Sequence, residues 1–386
     1  MDKVQPGLEL LLQRKINLVA GLNIGFITNH SSVTANLTSA VDALIESGVK
    51  ISAIFAPEHG VRGELADGQE FSESIDPRTG IPIFSLYGKT KKPTPEMLKD
   101  LDLLLFDIQD VGARFYTFLY TMALAIEACA EHNKRFVVLD RPNPLGGISV
   151  EGPVLEPQFS SFVGMYPIPI RYGLTIGETA RLFNHEFGID ADLEVVPLDG
   201  WRREMWFDQT GLPWIPPSPA MPSLETAVVY PGTCLIEGTN VSEGRGTSLP
   251  FQITGAPWIN GRTLADKLNQ ADLPGVRFRP THFTPNASKY LNEQCEGIQI
   301  HVIDRNSFLP VLTGVKIIEV IQQLWPERFE FRQPDQNGRF FFDLLAGTDR
   351  IRLGIQAGMS AEEISSNWEP QINRFISKKE PYLLYN

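Results

Sequence analysis

Short apolar runs alternate with amphipathic stretches over the first 140 residues of the chain. Four of these runs have the length and composition of buried strands, at 23–28, 51–56, 102–107 and 135–139. Apolar positions at helical spacing predict helices at 8–14, 38–47 and 116–132, a short helix opened by Thr94, and an extended piece at 81–86. Strands alternating with helices favour an α/β fold with a doubly wound, mostly parallel sheet.

The pattern loosens after residue 140. Residues 145–166 are rich in Gly, Pro and Ser and predict a loop or lid, and a capping box predicts a helix at 175–187 before a strand at 193–197. Residues 206–222 are dense in Pro and Trp, which excludes regular structure and predicts a rigid covering loop. This loop is either a hydrophobic clamp over the core or a wall for a sugar-like ligand, since aromatic faces suit apolar ring faces.

A second, smaller α/β domain is predicted at the carboxyl-terminal end, where polar motifs become sparse. We place the boundary so that the first domain covers 1–253 and the second covers 254–386. Helices are predicted there at 263–269, 312–324 and 361–375, and extended runs at 276–279 and 298–303.

Polar motifs follow four of the predicted strands. These motifs are Asn29-His30-Ser31, Glu58-His59-Gly60, Asp107-Ile108-Gln109-Asp110 and Asp140-Arg141-Pro142-Asn143. Because parallel strands end at one edge of a sheet, and ligands bind outside the carboxyl ends of such strands, the motifs predict a cleft. Glu58 is its candidate proton-transfer group; the alternative is an ordinary loop ion pair between Glu58 and Arg62.

Composition narrows the possible partners. The net charge of -12 argues against a nucleic-acid partner, and no apolar run approaches the length of a membrane span. No signal-type region follows the first residues, so we expect a cytoplasmic location for the sequence as it stands; an exported chain trimmed of its signal would look the same. The three cysteines lack metal-ligand spacing and predict no disulfide framework.

The motifs exclude several common chemistries. Gly244-Arg245-Gly246 lacks the third glycine of a dinucleotide fingerprint and does not follow the first strand, so we predict no nicotinamide cofactor, and no other cofactor is indicated. A cleft rich in carboxylates and arginines suits glycoside hydrolysis, which needs an acid and a second group at the anomeric carbon. Four motif arginines could grip a substrate carboxylate: Arg62, Arg114, Arg141 and Arg245.

Four long motifs in the same order resemble one known family over nearly the whole chain. They are Pro57-Glu58-His59-Gly60-Val61-Arg62-Gly63, Asp107-Ile108-Gln109-Asp110-Val111-Gly112-Ala113-Arg114-Phe115-Tyr116-Thr117, Asp140-Arg141-Pro142-Asn143-Pro144-Leu145, and Glu237-Gly238-Thr239-Asn240-Val241-Ser242-Glu243-Gly244-Arg245-Gly246-Thr247. Together they are similar to the exo-β-N-acetylmuramidase NamZ family, also described as DUF1343 or YbbC-like.

The resemblance implies a Rossmann-like first domain, a smaller second domain and a site between them. It implies hydrolysis of the β-1,4 bond of a non-reducing-end N-acetylmuramic acid in peptidoglycan fragments such as MurNAc-GlcNAc. The family's glutamate in the Pro-Glu-His-Gly motif falls on Glu58, which we expect to protonate the leaving oxygen. His59 is the adjacent alternative for this acid. Asp110 and Glu243 are candidates for the second carboxylate or for the group that orients the substrate acetamide.

Substrate-binding candidates come from the same motifs. They are His59, Arg62, Gln109, Arg114, Tyr116, Asp140, Arg141, Asn143, Asn240 and Arg245. Two other functions stay open at this point: a metal-dependent amidase or esterase acting on cell-wall fragments, with Glu58, His59 and Asp110 as ligands, and a non-catalytic muropeptide-binding protein.

Overall fold

A seven-stranded sheet contains all four predicted apolar strands. The computed structural model describes residues 3–62 and 73–386, so Gly63 of the first motif lies outside the described residues. The strands of the described residues, in this sheet and elsewhere, are β1 Ile24–Thr28, β2 Ile51–Ala56, β3 Ser74–Ile75, β4 Pro82–Ser85, β5 Leu103–Asp107, β6 Arg135–Leu139, β7 Glu151–Val154, β8 Pro169–Arg171, β9 Leu193–Val196, β10 Ile253–Ala256, β11 Val276–Phe283 and β12 Cys295–Val302.

The described helices alternate with these strands in the first half and cluster in the second. They are α1 Gly7–Arg14, α2 Ala40–Glu46, α3 Pro95–Leu98, α4 Phe118–Glu131, α5 Ile176–Glu186, α6 Leu224–Thr233, α7 Gly261–Gln270, α8 Pro310–Leu324, α9 Phe341–Ala346, α10 Arg350–Gln356, α11 Ala361–Ser365 and α12 Glu369–Lys379. Among the described helices, none combines the length and the apolar character needed to cross a membrane.

The large sheet is parallel except at one edge. Its strand order is β3-β4-β2-β1-β5-β6-β9, and only β3 runs antiparallel to its neighbour. Alternate residues point to opposite faces of a strand. Phe26 and Leu105 pack with α1 and α2 on one face, whereas Phe55 and Phe106 pack with α4 and α5 on the other. The predicted doubly wound α/β class is therefore confirmed.

The smaller sheet has the order β10-β12-β11 and is antiparallel. Helix α8 crosses α6 so closely that a Cβ atom on Gly314 would lie 2.3 Å from the Gly232 carbonyl oxygen. One hydrophobic cluster contains residues of both halves, from Ile27 to Phe375. The predicted division at 253/254 stays a prediction.

Two segments differ from their predicted structure. Helix α6 was not predicted because Pro231 and Gly232 are both poor helix residues, but its burial against α8 outweighs that preference. The segment 361–375 forms two helices, α11 and α12, rather than one. The predicted loop at 145–166 contains the short strand β7.

Candidate active site

The four polar motifs lie at one edge of the large sheet, as predicted. Strands β2, β1, β5 and β6 are adjacent and parallel, so Asn29, Glu58, Asp110 and Asp140 all follow carboxyl ends on the same side. They do not share one cavity, however. Side chains of the motifs themselves fill the middle of this edge.

The usual ligand position of a doubly wound sheet is occupied by an ion pair. Strand order reverses between β1 and β5, where ligands commonly bind. Arg141 lies there and donates from Nη2 to Asp107 Oδ2 over 2.8 Å, and its Nε also donates to this carboxylate. Ser32 donates its hydroxyl to the same group. The space that remains beside Arg141 is only about 20 Å³, too small for a sugar.

The segment rich in Pro and Trp covers this edge, and its first and last parts have different surroundings. Pro213 and Ile215 line the small space beside Arg141, and the ring of Trp214 packs edge-on against Phe207 at 5.1 Å. Further along, Met221 and its neighbours Ser218 and Ala220 line a larger cavity next to Glu58. The first part of the segment is thus a clamp. The last part lines the cavity without either Trp of the segment among the described lining residues, so the aromatic wall for a sugar stays a prediction.

The cavity beside Glu58 has a volume of about 330 Å³ and an aromatic lining. Its volume falls within the range of small-ligand sites. The residues lining it are Glu58, His59, Tyr87, Lys91, Phe115, Tyr116, Thr117, Phe118, Phe162, Val163, Ser218, Ala220, Met221, Tyr230, Cys234, Glu237, Arg245, Phe251, Phe341 and Leu345.

Glu58 is positioned by a tight turn and by the start of α4. Pro57 follows β2, and His59 and Gly60 adopt left-handed backbone angles, with φ of 74° and 77°. Thr117, the residue before α4, donates its hydroxyl to Glu58 Oε2 over 2.8 Å. The half-buried Glu58 carboxylate therefore has a defined direction and still reaches the cavity.

A second carboxylate reaches the same cavity from the loop after α6. Glu237 Oε1 accepts a hydrogen bond from Arg245 Nε over 2.6 Å. Burial raises the pKa of Glu237, an effect that Arg245 opposes and the nearby charge of Glu243 reinforces. Sequence reasoning missed Glu237 as a site residue, although it stands eight positions before Arg245 in the same motif.

Glu243 lies behind Glu237 rather than on the cavity wall. It is buried, and its Oε2 accepts a hydrogen bond from Lys289 Nζ over 2.9 Å, while its Oε1 is 3.8 Å from Arg245 Nε. Two carboxylates and two cations thus form one largely buried cluster. Glu243 helps to hold Arg245, which in turn holds Glu237.

Asp110 is not among the residues that line the cavity within the described part of the chain. It is buried, and its Oδ2 accepts hydrogen bonds from the Tyr172 hydroxyl and from the Gly112 N–H, the latter over 2.7 Å. Burial raises the pKa of Asp110 to about 6. The geometry therefore gives no support to Asp110 as the second carboxylate and favours Glu237.

Three of the four predicted arginines have other roles. Arg114 is fully buried and donates to the carbonyl oxygens of Pro153, Ile168 and Leu345 over 2.8–2.9 Å. Arg141 is held by Asp107 at the strand reversal, as described above. Of the four, only Arg245 lines the cavity with Glu58 in the described residues.

Arg62 lies in a different place from Glu58. It pairs with Asp76, Nη2 to Oδ1, over 2.6 Å, and both line a separate cavity of about 240 Å³ with Asn29 and His30. The structure thus places the two members of the suggested Glu58–Arg62 ion pair on different cavities.

Four of the remaining substrate-binding candidates connect loops of the protein through hydrogen bonds. The Gln109 amide donates to Pro142 O over 2.9 Å, the Asn143 amide to Leu174 O over 2.8 Å, and the Asn240 amide to Arg328 O over 2.8 Å. Asp140 accepts from Gly177 N–H and the Thr175 hydroxyl, and burial raises its pKa to about 7. These contacts support the walls of the site rather than the substrate itself.

Asp110→Asn tests the structural role of Asp110 through the pH dependence of stability. Because the folded-state pKa is raised from 3.8 to about 6, Asp110 stabilises the fold most below its unfolded pKa, and this contribution is lost as pH rises through 6. A shift of this size corresponds to about 3 kcal/mol. We expect urea unfolding to show the wild type losing most of this amount relative to the variant between pH 4 and pH 7. A difference that is constant with pH would contradict the assignment.

The positions of the candidate ligands also test the alternative function of a metal-dependent amidase or esterase. Across residues 3–62 and 73–386, no three His, Cys, Asp or Glu side chains are grouped so that they could hold a metal ion. Glu58, His59 and Asp110 therefore do not form the predicted ligand set. All three cysteines are buried free thiols.

Comparison with known proteins identifies relatives over the whole chain. The family models for the amino- and carboxyl-terminal parts of exo-beta-N-acetylmuramidase NamZ match residues 24–225 and 228–385. Peptidoglycan beta-N-acetylmuramidase NamZ of Bacillus subtilis (strain 168) is 52% identical over 384 residues, covering 99% of this chain and 92% of the relative.

Two solved structures of DUF1343 family proteins from Bacteroides fragilis NCTC 9343 have the same fold. One is 40% identical with a TM-score of 0.93, and the other is 34% identical with a TM-score of 0.80. Each comparison covers 100% of this chain and 99% of the solved one. The resemblance read from the motifs is thus confirmed, and the chain belongs to the exo-β-N-acetylmuramidase NamZ family.

Proposed function

We propose that this protein is an exo-acting glycoside hydrolase that releases N-acetylmuramic acid from the non-reducing end of β-1,4-linked peptidoglycan fragments. The observation that carries the proposal is that two carboxylates, Glu58 and Glu237, meet one aromatic-lined cavity. The 52% identity to a peptidoglycan beta-N-acetylmuramidase supports it.

The shape and lining of the cavity suit a terminal sugar. A volume of about 330 Å³ lies at the small end of ligand sites, which favours a single sugar over an extended chain. Aromatic rings such as Tyr87, Tyr116 and Tyr230 offer apolar faces for the C–H side of a sugar ring. A site that holds one sugar suits cleavage at a chain terminus.

The two carboxylates have different roles in the reaction. Glu58 acts as the general acid that protonates the leaving oxygen, since Thr117 holds one of its oxygens and the half-buried side chain reaches the cavity. Glu237 is held as an anion by Arg245 in a buried setting that penalises its charge. A positive charge that develops at the anomeric carbon, or on the substrate's own acetamide, relieves this penalty in the transition state.

Product analysis tests the proposal. With a MurNAc-GlcNAc disaccharide, we expect free N-acetylmuramic acid and N-acetylglucosamine in equal amounts, and the same rate when a chelator is present. An amidase given a peptide-bearing muropeptide would release peptide and leave the glycosidic bond intact. A binding protein would release nothing. Either of these last results, with a folded protein, would overturn the proposal.

A further inference from the structure

The proposed substrate carries a lactyl carboxylate, and the cavity already holds two carboxylates of its own. Neither Glu58 nor Glu237 can pair with an anionic ligand, so its binding needs a cation near the place where the lactyl group enters. In the described residues, the cations that line the cavity are Lys91 and Arg245, beside the imidazole of His59.

Arg245 is already neutralised by the protein. Its Nε donates to Glu237 over 2.6 Å and lies 3.8 Å from Glu243, and Lys289 completes the cluster through a 2.9 Å contact with Glu243. Two cations therefore match two carboxylates. Drawing Arg245 toward a substrate carboxylate would leave Glu237 buried without its partner, which is costly.

Lys91 has a different environment. Within residues 3–62 and 73–386 its ammonium makes no ion pair with a carboxylate, whereas the next residue, Lys92, is held by Glu131 at 2.7 Å and by Glu127. The Lys91 Nζ instead lies 4.3 Å from the centre of the Phe162 ring, and Phe162 also lines the cavity. This contact holds a charge at the cavity wall without neutralising it.

Strand register explains why Lys91 faces this cavity. Strand β4 pairs in parallel with β2, Ser85 opposite Ala56, and Leu86 N–H donates to Ala56 O over 2.8 Å. The loop after β4 therefore runs beside the loop after β2 that carries Glu58. It brings Tyr87 and Lys91 to the same cavity.

We propose that Lys91 binds the lactyl carboxylate of N-acetylmuramic acid and so distinguishes this sugar from N-acetylglucosamine; this inference rests on the proposed function. Lys91 acts as a specificity residue and takes no part in proton transfer. The arginines predicted for this role from the sequence are held by other partners, as described above.

The test compares Lys91→Met with the wild type on two aryl β-glycosides that share one leaving group. One is the glycoside of N-acetylmuramic acid, and the other is its neutral lactyl carboxamide. We expect roughly a tenfold loss of kcat/KM on the carboxylate substrate, mainly in KM, because a charge-assisted contact is removed. On the carboxamide we expect little change, and Lys91→Arg should retain most of the activity on the carboxylate.

Lys89→Met is the matched control, since Lys89 is exposed in the same loop and is not among the residues lining the cavity. It should behave like the wild type. Equal losses on both substrates for Lys91→Met, or no loss on either, would overturn the inference while leaving the proposed function intact. A wild type that cleaves neither substrate would instead overturn the proposed function, and the inference with it.

Discussion

Glu58→Gln is expected to lower kcat/KM on MurNAc-GlcNAc by about 10²–10⁴-fold, the usual contribution of a general acid. The amide keeps the shape of the side chain and its contact with Thr117 but has no proton to give to the leaving oxygen. An aryl muramide should show a much smaller loss, because its phenolate leaves with little need of protonation.

The control for this variant is Glu46→Gln, an exposed position at the end of α2 that is not among the described residues lining the cavity. It should leave both rates and the melting temperature unchanged. If Glu58→Gln lost equal activity on both substrates with its fold intact, Glu58 would be a nucleophile or a binding residue. If it kept near-wild-type activity on the disaccharide, it would have no part in the chemistry.

Glu237→Gln is expected to lower kcat/KM by about 10²–10³-fold on the disaccharide and on the aryl muramide alike. The lost interaction is with charge at the anomeric carbon, so a better leaving group does not compensate. Neutralising Glu237 also removes a charged partner from Arg245, so the melting temperature has to be measured alongside the rates.

Glu225→Gln serves as the matched control, since Glu225 is exposed in the first turn of α6, the helix that leads to Glu237. It should retain wild-type rates. A Glu237→Gln variant that is rescued by the aryl leaving group, while Glu58→Gln is not, would exchange the two roles. Wild-type activity of Glu237→Gln would remove Glu237 from the reaction.

The local pattern of apolar and polar residues was sufficient to predict the central strands of the large sheet. Strands β2 and β6 begin and end where the apolar runs do, because a strand buried on both faces is apolar over most of its length. The common edge of the four motifs followed from parallel pairing alone. The helix α6 could not be predicted in this way, since its stability depends on close packing of Gly232 against α8.

The site was only partly predictable, because motif position does not say which way a side chain points. Glu58, His59, Tyr116 and Arg245 line the cavity, whereas Arg114, Asp110 and Asn143 turn inward to hydrogen-bond partners far away in sequence. Glu237 and Lys91 were missed for the converse reason. Glu237 stands at the start of a motif from which only later residues were chosen as candidates. Lys91 lies on a loop whose position beside Glu58 follows only from the β2–β4 register.

Two expectations from composition lie outside what the fold and the relatives address. The absence of a nucleic-acid partner, expected from the net charge of -12, stays a prediction, as does the cytoplasmic location. Binding assays with nucleic acid and fractionation of the producing cells would decide them.

The central claim is that the cavity shared by Glu58 and Glu237 is the active site. A larger cavity, of about 730 Å³, lies on the other side of α6, and Trp206 and Arg305 are among the residues lining it. The most direct measurement is a crystal structure of the Glu58→Gln variant with MurNAc-GlcNAc bound. We expect the muramic acid ring among Tyr87, Tyr116 and Tyr230, with the glycosidic oxygen within hydrogen-bond distance of the substituted side chain. A disaccharide bound in the larger cavity, with the smaller one empty, would contradict the account.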